Sequence, residues 1–225
     1  MSNSKKLIIF LTAFFATLSF IILMSTLFGQ VLQYNSQITD LSLKTITFIV
    51  FVSIQGFLRQ KTLDKMMKDA KVDRKIACPK FTLNQKSWLY FVIILIYYLP
   101  AIKDRNLAYL NAFSIGLSIV SLVLVELLLR WSNQTTFIYF TDKGLFINGM
   151  DLRLMVPIIY GGQLFNDSNL YKYDQLFSYI HLGEQIDIED NYRRKIITIK
   201  ESPDNLKQIE GLLKRKNIKA KKLHG

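Results

Sequence analysis

The chain has 225 residues, half of them hydrophobic, and carries a formal net charge of +12. This length suits one or two domains, and a single cysteine, Cys78, excludes an internal disulfide and a cysteine-based metal cluster. A large positive charge is common in nucleic-acid-binding proteins. Here, however, the hydrophobic residues form long blocks flanked by basic loops, which is how membrane proteins are oriented. We therefore expect no nucleic-acid partner.

Four apolar segments are long enough to be membrane-spanning helices. They are Leu7 to Phe28, Leu41 to Leu58, Ser87 to Ile102 and Leu107 to Leu129. About 20 apolar residues cross the hydrocarbon core of a bilayer. A cleaved signal peptide is the alternative for the first segment, but the run is longer than a signal core and no small-residue cleavage site follows it. Pro100 is expected to mark the outer end of the third segment, because proline interrupts helical hydrogen bonding.

The distribution of lysine and arginine orients these segments. Two cations precede the first segment, nine lie between the second and third, and fifteen follow the fourth. Only Lys44, Lys103 and Arg105 lie on the other side. Because cytoplasmic loops carry the excess of Lys and Arg, we predict a multi-pass protein of the cell membrane with four helices in two hairpins. Both termini are predicted to be cytoplasmic.

Polar residues inside the apolar segments are candidates for a functional role. Glu126 is the only acidic residue there, and intramembrane carboxylates often serve proton relays or cation sites. It lies four residues before Arg130 on the same helical face, so an interfacial ion pair is the structural alternative. Asn111 and Gln55 are predicted to hydrogen-bond between helices. Small residues of the fourth segment, Ser114, Gly116, Ser118 and Ser121, permit close helix packing.

The predicted cytoplasmic loop, 59–86, contains a helical pattern. Leu63, Met66, Met67 and Ala70 share one face, and lysines occupy the other. This pattern suits either a helix lying on the anionic inner leaflet or a helix packed on the following domain, and the sequence leaves both open. Six cations are predicted to contact lipid headgroups: Lys65, Lys68, Lys71, Lys214, Arg215 and Lys216.

From Trp131 onward the pattern changes to short strands and turns, so we predict domains at 1–130 and 131–225. Alternation from Thr135 to Thr141 predicts a strand, followed by a turn at Asp142-Lys143-Gly144. Asn148-Gly149 is typical of a hairpin turn with positive φ. Later strands are predicted at Leu152 to Tyr160, closed by Gly161-Gly162, and as a hairpin of Gln185 to Glu189 with Lys195 to Lys200.

The last predicted element is a helix. Ser202 is a suitable N-cap and Pro203 suits the first helical position. Four apolar residues, Leu206, Ile209, Leu212 and Leu213, form one stripe. Because such a stripe needs an apolar face to cover, we predict an α-helical membrane domain followed by a cytoplasmic α+β domain. In that domain a small, bent antiparallel sheet is closed by the C-terminal helix.

Two stretches of this region carry a family resemblance. Residues 140–149 read Phe-Thr-Asp-Lys-Gly-Leu-Phe-Ile-Asn-Gly, and residues 173–179 read Tyr-Asp-Gln-Leu-Phe-Ser-Tyr. With Ile196 to Ile199 and the helix Pro203 to Lys216, they resemble the bacterial pleckstrin-homology-like domains that follow transmembrane helices in many small Gram-positive membrane proteins. The chain departs from a compact version by extra sequence from Met150 to Asn169. The resemblance implies a binding or assembly module.

The sequence lacks the short motifs of common enzymes. It has no Gly-rich phosphate loop, HExxH, GxSxG or paired-histidine spacing. We therefore predict a non-enzymatic protein with no catalytic residue, metal or cofactor, whose partners are the lipid bilayer and another membrane or cytoplasmic protein. A concrete version is an immunity or accessory factor against a membrane-active peptide. The alternative is a small transporter or a membrane subunit of a transport complex, using Glu126, Asn111 and Gln55. The oligomeric state is left open.

Overall fold

The computed structural model describes residues 3–32, 36–106, 109–154, 159–160, 163–164, 170–191 and 195–221. It begins with four long helices, α1 (Asn3–Leu32), α2 (Ser36–Met67), α3 (Leu83–Lys103) and α4 (Ala112–Thr135). All four are long and apolar enough to cross a membrane. This confirms that the four predicted segments form helices with the length and apolarity of membrane spans, because mean hydropathy over about 20 residues is a local property of the sequence.

Neighbouring helices of this bundle run antiparallel. Phe10, near the start of α1, packs edge-on against Phe51 at the middle of α2, with ring centroids 5.5 Å apart. Lys86, at the start of α3, reaches Glu126 near the end of α4. The start of α1, the end of α2, the start of α3 and the end of α4 therefore share one end of the bundle, which we name the domain end because α4 leads there into the strands.

Helix boundaries differ from the prediction in three places. The loop helix predicted at 63–70 is the continuation of α2, whose 32 residues give a length of about 48 Å at 1.5 Å per residue. Helix α3 continues past Pro100 to Lys103, since proline lacks only its own backbone N–H and therefore removes a single helical hydrogen bond. Helix α4 begins at Ala112, and Asn111 is its N-cap, accepting a hydrogen bond from the Ser114 amide at 2.8 Å.

Hydroxyl groups connect three of the helices. The Tyr97 hydroxyl of α3 accepts a hydrogen bond from Thr45 of α2 at 2.9 Å and lies 2.8 Å from the Ser121 hydroxyl of α4. Ser114, Ser118 and Ser121 are all buried on α4. The predicted close packing through serines therefore holds, whereas a Cβ on Gly116 would meet no atom of the described residues within 4 Å.

The C-terminal region is strand-rich. Its strands are β1 (Val72–Ala77), β2 (Phe137–Thr141), β3 (Leu145–Asn148), β4 (Ile159–Tyr160), β5 (Gln163–Leu164), β6 (Leu170–Tyr171), β7 (Leu176–His181), β8 (Gln185–Asp190), β9 (Lys195–Lys200) and β10 (Lys219–Ala220). They form two four-stranded sheets, ordered β1-β2-β3-β6 and β10-β7-β8-β9, and a β4-β5 pair. The described strands thus form two main sheets rather than the single bent sheet predicted.

A helix closes the core between these sheets. Helix α5 (Pro203–Arg215) starts after Ser202 with Pro203 in its first turn and buries the predicted stripe. That stripe packs with buried residues of both sheets, among them Ile138, Phe140, Leu145, Tyr179, Ile186 and Ile188. The strand predicted at 135–141 is present as β2 from Phe137, because α4 continues to Thr135. The turn at Gly144 and the β8-β9 hairpin are confirmed.

The loop predicted at 59–86 does not form a separate unit. Its first part belongs to α2, and its middle forms β1, which pairs antiparallel with β2 of the strand-rich region. Ile76 of β1 is buried in the same core as α5. We use the name strand-rich domain for β1 to β10 with α5, so that it includes residues from before the predicted boundary at 131.

Candidate functional site at the junction of bundle and domain

The end of α2 extends beyond the bundle and packs on the strand-rich domain. Leu63 is fully buried against Phe146 and Leu170, and Met66 and Met67 pack at the margin of this contact. Beside it, the Asn148 amide donates to the Asp64 carboxylate at 2.6 Å. Of the two interpretations of the amphipathic pattern, the structure thus supports packing on the domain.

Two arginines and one aspartate form a buried ionic cluster at this junction. Arg59, in α2, is 4% exposed and Asp151, after β3, is 1% exposed. Their charged atoms lie 3.4 Å apart, and the Arg59 guanidinium also donates to the backbone carbonyls of Asp151 and Arg153. Arg153 binds the same carboxylate with two nitrogens, at 3.0 and 2.8 Å. We name this group the Arg59–Asp151–Arg153 cluster.

Two glycines allow the backbone around Asp151 to approach the helices. Gly149 has a φ of +150°, and a Cβ there would lie 2.2 Å from the Thr135 carbonyl oxygen at the end of α4. A Cβ on Gly56 of α2 would lie 2.8 Å from the Asp151 carbonyl oxygen. A side chain at either position would therefore push the segment out of the junction.

The backbone of residues 149–154 therefore follows a course that the sequence did not predict. The Asn148-Gly149 pair has the expected positive φ at glycine, but the chain enters the domain end of the bundle instead of forming a hairpin. The Leu152 amide donates to the Ser132 hydroxyl of α4 at 2.9 Å, and the Leu152 side chain packs among apolar residues of the bundle. The strand predicted from Leu152 to Tyr160 is wrong at residues 152–154, which form no strand, and is present at Ile159–Tyr160. Residues 155–158 and Gly161-Gly162 lie outside the described residues.

The electrostatics of the cluster keep Asp151 ionised. Burial by itself would raise the pKa of this carboxyl, but Arg153 and Arg59 hold it well below its usual range. The Arg153 guanidinium also lies 4.5 Å from the centre of the Phe81 ring, a distance at which a cation is attracted to an aromatic face. One buried nitrogen of Arg59, Nε, has no hydrogen-bond partner among the residues that the structure describes.

Cys78 lies next to this cluster. Its side chain packs at the margins of both the bundle core and the domain core. Burial raises the pKa of the Cys78 thiol to about 11, so the thiol is protonated at neutral pH. Its backbone carbonyl accepts a hydrogen bond from the Asn133 amide of α4 at 3.4 Å. Cys78 is therefore a structural thiol at the junction, and thiolate chemistry is disfavoured there.

Glu126 belongs to a second ionic group at the same end of the bundle. Its carboxylate lies 3.0 Å from Lys86 and 3.0 Å from Arg130, and it accepts a hydrogen bond from Tyr90. The predicted pair with Arg130 is thus present, and Lys86 adds a tie between α3 and α4. A transport role for Glu126 stays a prediction. If Glu126→Gln left substrate flux unchanged, that role would be contradicted.

The other predicted site residues lie apart from one another. Gln55 is fully buried in α2, one turn before Arg59, whereas Asn111 caps α4 at the opposite end of the bundle. Lys65, Lys68, Lys71, Lys214 and Arg215 are exposed. Lys214 pairs with Glu210 at 2.8 Å, while Lys216 lies 3.5 Å from Asp73 and 5.2 Å from the centre of the Tyr173 ring. Two of the six predicted lipid contacts therefore already have partners within the domain.

Sequence reasoning missed the central cluster. The sequence indicates Arg59 only as one of the orienting cations, and Asp151 and Arg153 lie at the start of a predicted strand. The available signal was an aspartate and an arginine two residues apart, Asp151 and Arg153, shortly after Asn148-Gly149. Such a pair is common on protein surfaces, so only the fold identifies it as buried.

The described residues offer no obvious metal site, since no group of three or more His, Cys, Asp or Glu is placed to hold an ion. Comparison of the chain with models of protein families, with curated protein sequences and with solved structures finds no match. The function is therefore inferred from the residues of the junction and the domain themselves.

Proposed function

We propose that this chain is a multi-pass protein of the cell membrane whose strand-rich domain lies in the cytoplasm and acts as a non-enzymatic binding or assembly module. The carrying observation is the Arg59–Asp151–Arg153 cluster. Buried charges lose hydration and are stable only with close partners, so they favour one position of the domain on the bundle. A domain held in one position presents its surface to a partner in a set orientation.

The architecture supports a binding module of the pleckstrin-homology-like kind. A small β-domain closed by a C-terminal amphipathic helix is the arrangement that the resemblance implies, and α5 covers the core in this way. The buried Asp151 carboxylate and the partly buried Glu126 carboxylate are each paired with a cation of another element, Arg59 of α2 and Lys86 of α3. This use of charge favours assembly over catalysis, in which a titratable group must face substrate.

The cytoplasmic placement is tested by labelling cysteines in intact cells. In a Cys78→Ser background, Arg105→Cys is expected to react with a membrane-impermeant maleimide from outside, because the excess of Lys and Arg lies on the cytoplasmic side. Lys71→Cys is the matched variant and should react only after permeabilisation. Labelling of Lys71→Cys in intact cells would contradict the placement.

The binding role is tested by photocrosslinking in cells. A photoreactive amino acid in place of Val72, which is 47% exposed on β1, or of Phe177, which is 42% exposed on β7, should give a discrete protein adduct. The same substitution at Phe113, 53% exposed at the other end of α4, is the control and should give none from the cytoplasm. Absence of adducts from both domain positions would contradict the binding role.

The immunity version of this role has its own test. A protein that protects against a membrane-active peptide makes the cell less sensitive to it. Deleting the gene should therefore raise sensitivity to peptide toxins of neighbouring strains, and the intact gene should restore resistance. Unchanged sensitivity would rule out this version while leaving the general binding role in place.

A further inference from the structure

The outer edge of the second sheet is occupied by the chain's own tail. Strand β10 has two residues, Lys219 and Ala220, which pair in parallel with Ser178 and Tyr179 of β7. The Lys221 amide then donates to the Tyr179 carbonyl at 2.9 Å. Without this short strand, β7 would be an edge strand with free backbone donors and acceptors, and such edges readily accept another strand.

This pairing is short compared with the strand that it covers. Strand β7 has six residues, and parallel pairs are slightly weaker per residue than antiparallel pairs. Both Lys219 and Ala220 are exposed. In contrast, Ile218, directly before them, is 4% exposed and belongs to the domain core. The fold thus anchors the chain at Ile218 and lays the next three residues on the β7 edge as a short addition.

The same edge carries a carboxylate that recognises a lysine. Glu189 of β8 lies opposite Ser178 and is 7% exposed. It accepts a hydrogen bond from the Ser178 hydroxyl at 2.8 Å, and its two oxygens lie 3.0 and 3.2 Å from the Lys221 ammonium. Lys221 itself is about half exposed. A buried carboxylate needs hydrogen bonds and a cation, and a cation that is half exposed is open to exchange.

We propose that the β7 edge with Glu189 is the docking site of this module for an extended, lysine-bearing segment of a partner protein. The partner segment would add to the sheet as a strand, place a lysine on Glu189 and replace residues 219–221. The inference rests on the proposed binding function and names its surface and the chemistry of its partner. We choose a lysine-bearing partner on the basis of charge complementarity, since Glu189 beside this edge already binds the Lys221 ammonium.

The tail then acts as an internal competitor. A tethered segment has a high effective concentration at its site, so the intact chain binds a free peptide weakly. A partner segment that pairs with more of the six β7 residues than the tail does gains additional backbone hydrogen bonds, and this gain allows it to displace the tail. The edge is therefore closed to short basic peptides and open to longer ones.

The test uses the tail itself as a probe. A fluorescent peptide with the sequence of residues 216–222, Lys-Asn-Ile-Lys-Ala-Lys-Lys, is titrated against purified protein in lipid nanodiscs, and binding is followed by anisotropy. The chain ended at Ile218 should bind it at least about tenfold more tightly than the intact chain, a difference of about 1.4 kcal/mol. Equal binding by the two chains, or none by the shortened chain, overturns the proposal.

Further variants distinguish specific binding at Glu189 from nonspecific attraction between charges. In the shortened chain, Glu189→Gln should weaken binding about tenfold, and the control Glu184→Gln, an exposed carboxylate of the same domain, should leave it unchanged. Equal loss in both would reduce the site to nonspecific attraction and overturn the proposal. Lys221→Glu in the intact chain keeps the full length and should also open the edge, which provides the test if the shortened chain does not fold.

Two other outcomes are distinguishable. If the intact protein forms a dimer that disappears when the chain ends at Ile218, the occupant is the tail of a second copy, and the partner proposal is overturned.

Peptide binding is measured on purified protein and does not depend on the crosslinking in cells. Peptide binding without crosslinked partners would contradict the proposed function alone, and crosslinks from Val72 without peptide binding would contradict this inference alone.

Discussion

The substitution Asp151→Asn is the most informative test of the junction. It keeps the shape of the side chain and removes only its charge. Asp151 is 1% exposed and neutralises Arg59 and Arg153, so the variant leaves two guanidinium groups beside each other without the carboxylate. Removing one partner from a buried ion pair typically costs about 3–5 kcal/mol. The strand-rich domain should then separate from the bundle far more often.

The size of the effect follows from this free energy. A loss of about 3 kcal/mol multiplies the population of the separated state by about 150, since 1.36 kcal/mol is a factor of ten. Hydrogen exchange measures this population at the amides of 149–154, among which the Leu152 amide is protected by Ser132. Their exchange should accelerate about 100-fold, whereas amides in α5, inside the domain core, should be unchanged.

A double variant tests the electrostatic cause. Adding Arg59→Met to Asp151→Asn removes one of the two stranded cations, so the two substitutions together should cost less than the sum of their separate costs. Additive costs, or an acceleration of less than about threefold in the single variant, would refute the electrostatic reasoning. The lowered pKa of Asp151 sets the pH dependence. Its stabilisation is complete well above the usual value of 3.8 and is lost progressively as the pH falls from there through the lower folded pKa, so protection should hold from about pH 5 to pH 8.

Two further predictions concern the same junction. Gly149→Ala places a methyl group 2.2 Å from the Thr135 oxygen at a φ of +150° and should lower the free energy of unfolding by more than about 2 kcal/mol. The control Gly211→Ala, on a face of α5 with no described atom nearby, should raise the free energy of unfolding by about 0.5–1 kcal/mol. Similar melting curves for the two variants would contradict the close approach of Gly149 to the end of α4. Cys78, with its pKa raised from 9.0 to about 11, should react with maleimide at pH 8 about 100-fold more slowly than an ordinary thiol, and an equal rate would show that the thiol is not buried.

Much of the fold was predictable from local patterns. The four helices apolar enough to span a membrane, strand β2, the β8-β9 hairpin and the stripe of α5 each depend on the residue pattern within one segment. The pair of Glu126 with Arg130 was also predictable, because residues four apart on a helix are neighbours. Lys86, its third partner, was not, because its position depends on how α3 packs beside α4.

The division into domains was also harder to predict, because it depends on which segments pack together in the folded chain. Strand β1 has a mostly exposed, charged sequence, Val-Asp-Arg-Lys-Ile-Ala, which has little alternation of its own. It becomes a strand because β2 offers it backbone hydrogen bonds, and Ile76 is the one buried side chain of β1. Whether such a segment forms a strand therefore depends on the strands that lie beside it in the fold.

By itself, the sequence determined which segments are apolar enough for a membrane and which stripe of α5 is buried, because the transfer of apolar side chains from water is close to a sum over residues near one another in the chain. Only the tertiary structure decided where charges are buried. Arg59 and Asp151 are 92 positions apart, and neither is unusual in its own segment. Their pairing exists because two glycines let the backbone after β3 reach α2 and α4, and a buried charge is stable only where such an approach supplies its partner.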